Sequence, residues 1–147
     1  MTNRFPDAHL LIARAIVAAA LLSVGCVAGD PLGPPGPGAN IPAVGMSPGE
    51  FGFAITARDW TSDQTYTPEL ATGALQVGFA VVGYRGGTGH VTVTDADGAI
   101  AFNRDLAGNV AQGSSVVHGR APFRVRVAAS GYTGLIALGV NAGPGGG

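Results

Sequence analysis

Between His90 and Val127 apolar and polar residues alternate with a period of two, the pattern of half-buried β-strands. Val91 and Val93 share one face and His90, Thr92 and Thr94 the other; Asp97-Gly98 turns the chain, and Ile100 and Phe102 resume the apolar side. Phe123, Val125 and Val127 then alternate with Arg124 and Arg126. Upstream, Phe51, Phe53 and Ile55 predict a first strand, and Leu75, Val77, Phe79 and Val81 a longer one that runs to Tyr84. Residues 114–118 and 122–129 read as further strands, and 135–140 as a continuously apolar one that is central or covered on both faces. About seven short strands predict an all-β fold, a single small antiparallel β-sandwich with Val93, Ile100, Phe123 and Val125 on one inward face.

The connections follow from the breakers. Residues 58–67 form a polar loop that carries Trp60 and Tyr66, and Thr67-Pro68-Glu69 is suited to one short helical turn. Residues 85–89 read as a flexible glycine-rich connection and Ser130-Gly131 as a turn. The expected organisation is a signal peptide over 1–25, a Pro/Gly-rich tether over 26–49, the sandwich over 50–141 and a flexible glycine-rich tail over 142–147.

The amino-terminal segment carries a targeting signal rather than part of the fold. Arg4 and Arg14 precede an apolar run over 15–25 that is too short to span a bilayer comfortably, and small residues follow it: the build of a signal-peptide helix. The run ends at Cys26, the single cysteine, and Leu22-Ser23-Val24-Gly25-Cys26 resembles the lipobox of bacterial lipoproteins. Ser23 stands where that family usually carries a large aliphatic residue. The resemblance implies cleavage before Cys26, lipid on its sulfur and a membrane anchor. The alternative is an ordinary secreted protein cut after Ala28 or Gly29, with Cys26 discarded. Beyond it, six prolines between Pro31 and Pro48 exclude helix and strand, and an extended tether over 27–49 reaches roughly 70 Å at about 3.1 Å per residue. In strand spacing, residues 90–140 resemble the small jelly-roll or pre-peptidase-like sandwiches appended to bacterial envelope proteins.

Composition narrows the chemistry. The 147 residues allow one small domain, and eight basic residues, all arginine, against nine acidic ones leave a formal charge of -1. That balance argues against nucleic-acid binding, and a lone cysteine excludes an internal disulfide or a cysteine-based zinc cluster. Asp95-Ala96-Asp97-Gly98 resembles the start of a calcium loop, but Leu106 holds the position where the bidentate glutamate belongs, so a hairpin turn is the better reading and no metal is assigned. Ser114, Ser115, His90 and His118 supply residue types of a catalytic triad without any Gly-x-Ser-x-Gly elbow, so no catalytic residue and no cofactor are assigned.

Two functions from different classes remain. The first is a non-enzymatic envelope lipoprotein or secreted sandwich with a structural or protein-interaction role, attached to the membrane through Cys26 and meeting an envelope protein or polysaccharide. The second is a small-ligand or carbohydrate-binding module. Trp60, Tyr66 and Tyr84 are its candidate stacking residues, and Arg124 and Arg126 are candidates for an anionic partner, Arg120 extending their stripe. An exposed Trp60 in a common groove with Tyr66 would favour the second.

Overall fold

The computed structural model describes residues 38–108 and 112–143. The expected signal peptide, Cys26, the tether as far as 37 and the tail from 144 lie outside the described residues. Six strands form: β1 (Ala43–Ser47), β2 (Glu50–Tyr66), β3 (Gly73–Thr94), β4 (Ile100–Asp105), β5 (Gln112–Gly119) and β6 (Arg124–Ala142). All pair antiparallel in the order β1-β2-β6-β3-β4, and β5 pairs with the first part of β3.

Three of these strands are long, 17 residues in β2, 22 in β3 and 19 in β6, and each bends part-way. The bends lie where the ladders slip, between Ala57 and Ser62 in β2 and between Val82 and Thr88 in β3. Before them, β2 and β3 pair with the carboxy-terminal half of β6; after them, with its amino-terminal half. One sheet therefore folds over itself into two layers, with β1 and β5 flanking the first and β4 the second. Across the layers Phe53 meets Trp60 at 6.3 Å and Tyr66 at 6.1 Å between ring centroids, Phe51 meets Tyr66 at 5.3 Å, and Phe79 meets Phe102 at 6.1 Å. A single core results, in which Phe53, Ile55, Leu75, Val77, Val91, Val93, Phe123, Val125 and Val127 are among the fully buried side chains.

Gly87 makes the fold-over sterically possible. Its φ is +83°, and a Cβ there would lie 2.2 Å from the carbonyl oxygen of Gly131. The β2–β6 bend is fastened by two threonines: the Asp59 N–H donates to Thr133 Oγ1 at 3.0 Å and the Gly131 N–H to Thr61 Oγ1 at 2.9 Å. The segments expected to separate strands, 85–89 and Ser130-Gly131, are thus bends inside strands; the two fusions reduce the seven expected strands to five, and β1 is the sixth.

Four other local expectations are corrected. Residues 58–66 continue β2, because Trp60, Ser62, Gln64 and Tyr66 alternate with exposed Thr61, Asp63 and Thr65 and pair with β6. Residues 67–69 form no helical turn; the Glu69 carbonyl accepts the Gly49 N–H at 2.8 Å and Leu70 is buried in the core. β1 forms inside the expected tether, so the β structure begins at Ala43 rather than Glu50. Ile100 is 63% exposed: the ladder passes from Val93–Phe102 to Thr94–Ile100, and the one-residue slip turns Ile100 to the Thr94 side.

The inward face at β6 gives a direct test. Phe123 is buried and Arg124 exposed, so Phe123→Ala should cost about 3–5 kcal/mol and Arg124→Ala less than about 0.5 kcal/mol in denaturant melts. Equal losses would contradict the register.

Candidate functional site

The aromatic residues expected to stack on a ligand are taken up by the fold. Trp60 is only 6% exposed and packs on Phe53. Tyr66 is half-buried against Phe51 and Phe53 and its hydroxyl donates to Gln64 Oε1; burial raises its pKa. Tyr84 lies at the bend, its hydroxyl donating to the Gly87 carbonyl at 2.8 Å and its ring 5.6 Å from that of Tyr132. These three form no common exposed groove, so the stacking platform expected for a carbohydrate is not present at them.

The arginines are placed on the surface, as the alternation predicts, but not as one open basic stripe. Arg126 grips Asp63 with a fork, Nε to Oδ1 at 2.7 Å and Nη2 to Oδ2 at 2.5 Å. That hydrogen bond holds the Asp63 carboxyl below its ordinary value, and because both groups are exposed the pair contributes little to stability. Arg120 pairs with Asp97 at 3.1 Å, while Arg124 is exposed on the same face as Arg126.

Asp95 organises the β3–β4 turn: its Oδ1 accepts the N–H groups of Asp97 at 3.0 Å and Ala99 at 2.9 Å. Asp105 accepts the Ala107 N–H at 2.7 Å. Among the described residues no group of three or more His, Cys, Asp or Glu side chains could hold a metal ion. His90 contacts Asn103 Oδ1 in the second layer, whereas Ser114, Ser115 and His118 belong to β5 in the first.

A different feature dominates the outer face of the first layer. Gly45 pairs with Gly52, Gly52 with Gly139, Gly139 with Gly78 and Gly78 with Ser114, so a row of four glycines and a serine crosses β1, β2, β6, β3 and β5. Beside it runs Ala43, Ala54, Ala137, Ala80 and Gln112; on its other side run Ser47, Glu50, Asn141 and Gln76. The result is an open trough of about 640 Å³ with a glycine–alanine floor and one polar wall. Five strands at about 4.8 Å spacing make the row roughly 19 Å long.

Internal packing does not require three of these four glycines. A Cβ on Gly45, Gly52 or Gly139 would meet nothing within 4 Å, and none of the three has a positive φ. Each costs roughly 0.5–1 kcal/mol relative to alanine, and glycine within a strand often marks close approach of a ligand or another backbone. The trough was missed at the sequence level although a trace is there: Gly52-Phe53-Ala54, Gly78-Phe79-Ala80 and, reversed, Ala137-Leu138-Gly139. Only the antiparallel register aligns the three.

No family model matches the chain, and no curated protein matches it. Among solved structures it is similar to one described as "CBM4 structure and function", at 11% identity and a TM-score of 0.34, over 67% of this chain and 83% of that one. It is also similar to one described as "Crystal structure of accessory secretory protein 1,2 and 3 in Streptococcus pneumoniae", at 14% identity and a TM-score of 0.31, over 77% of this chain and 91% of that one. These likenesses are too distant to bear on function.

The Tyr84–Tyr132 contact gives the bend a pH signature. Burial, then Tyr84 and Asp105, push the fully buried Tyr132 from 10.0 up to about 12, and its hydroxyl donates to the Leu106 carbonyl at 3.2 Å. The folded chain keeps a proton that the unfolded chain releases near pH 10.0, so this stabilisation is whole below that pH and is lost as pH rises toward about 12. Tyr132→Phe should flatten the fall in stability between those limits in denaturant melts; an unchanged slope would assign the effect elsewhere.

Proposed function

We propose that this chain is a non-enzymatic interaction domain of the bacterial cell envelope, tethered by lipid on Cys26, whose trough receives an extended apolar segment of another envelope protein. The observation that carries the reading is the in-register glycine row, which gives up side chains on an outer face although nothing within 4 Å would meet one at Gly45, Gly52 or Gly139. A partner needs it: an extended backbone approaches closely only where Cβ atoms are missing. A row of roughly 19 Å matches about six extended residues. The amides of Gln76 and Asn141 suit main-chain hydrogen bonds, and the alanines suit small apolar side chains. Carbohydrate binding is the weaker reading because Trp60, Tyr66 and Tyr84 are committed to the core and the bend.

Gly139→Leu fills the trough in open space and should leave the thermal melt within a few degrees of wild type. The probes are six-residue peptides with alternating apolar side chains and, in parallel, linear oligosaccharides, titrated calorimetrically. Peptide binding that weakens at least about tenfold in Gly139→Leu supports the reading. Binding of the oligosaccharides alone, or peptide binding indifferent to Gly139→Leu, overturns it.

The anchor is tested separately. Cys26→Ser should move the protein from the membrane fraction to the soluble one, and a mature chain that lacks Cys26 in mass spectra would remove the anchor.

A further inference from the structure

β1 is an outer edge of the sheet, and its sequence is symmetric about Gly45. Pro42-Ala43-Val44-Gly45-Met46-Ser47-Pro48 reads proline, small, apolar, glycine, apolar, small, proline in either direction. It carries no charge, whereas the β4 edge ends in Arg104 and Asp105. Val44 is 38% and Met46 60% exposed, with Ile41 at 68% just upstream. Native edges are commonly blunted by charge, bulges, proline or short length; β1 has neither charge nor bulge, and Pro42 and Pro48 confine any pairing to the five residues between them.

The hydrogen-bond alternation fixes which groups the edge presents. Glu50 closes the Pro48-Gly49 turn opposite Ser47, so Ser47, Gly45 and Ala43 bond inward to β2. Two bonds along β2 agree with this alternation: Thr56 accepts the Asn40 N–H on the β1 side, and Gly49 accepts the Ala142 N–H on the β6 side. Val44 and Met46 therefore turn their N–H and C=O groups outward.

We propose that β1 pairs antiparallel with β1 of a second copy of this chain, centred on Gly45, to form a two-fold dimer with a continuous sheet. In that register Val44 of each copy faces Met46 of the other, and each such pair exchanges two main-chain hydrogen bonds, four in all. Centring on Val44 or Met46 instead would bring a proline, which has no N–H, opposite a residue that needs one. With Gly45 at the centre the prolines fall opposite each other and end the ladder on both sides. Val44 and Met46 share the face of Phe53 and Phe51, their ladder partners, so the pairing covers apolar surface beside the core. The patch is its own complement, as a two-fold interface requires. On the other face Gly45 meets Gly45, so the glycine row of one copy runs into that of the other. The dimer does not depend on what occupies the trough.

Sedimentation velocity of the full chain in mild detergent tests the pairing, the apolar segment 15–25 being common to every variant. Wild type should be a dimer. Val44→Lys and Met46→Glu should each weaken the dimer at least about tenfold while leaving the thermal melt of the fold unchanged. The combination Val44→Lys with Met46→Glu should restore it, because each introduced lysine then faces the glutamate of the other copy. A monomeric wild type, single variants that dimerise like wild type, or a combination that stays monomeric would overturn the proposal.

Discussion

The backbones of β3 and β6 approach so closely at Gly87 and Gly131 that no side chain fits between them, and the rest of the molecule depends on that contact. There β3 and β6 turn without parting, so that the aromatic face of the first layer closes on the second. Tyr132 fills the inside of the same corner, and Gly89 makes room for it: a Cβ at Gly89 would sit 2.9 Å from the Tyr132 ring. Burial at this corner is what raises the tyrosine's pKa, so the electrostatics follow from the bend.

The two outer faces of the folded sheet contrast in composition. In the second layer the exposed positions carry Thr61, Asp63 and Arg126, an ordinary solvated surface on which Arg126 pairs with Asp63. In the first layer the outward positions carry Gly52, Ala54, Gly78, Ala137 and Gly139, all half-buried except Ala137, which is buried. A sheet face that gives up both bulk and charge is poorly suited to water alone, and it lies next to an edge strand with the same character. Trough and edge thus form one continuous uncharged region over β1, β2 and β6, bounded by Glu50 and Asn141.

Alternation by itself determined which residues face inward over most of the chain. Val91, Val93, Phe123, Val125 and Val127 are buried as the period of two requires, and Arg124 and Arg126 are exposed. Such periodicity is a local property, since successive side chains of any strand point to opposite faces. Tertiary structure decided what depends on pairing between distant segments. It joined 73–94 and 124–142 into single bent strands, drew 43–47 out of a proline-rich stretch by pairing it with β2, and turned Ile100 outward by one slipped residue. It also placed Trp60 inside, because a polar neighbourhood in sequence says nothing about which ring lies across the core. The glycine row is the clearest case: each glycine alone reads as a strand-weakening residue, and only the register of four strands makes them one surface.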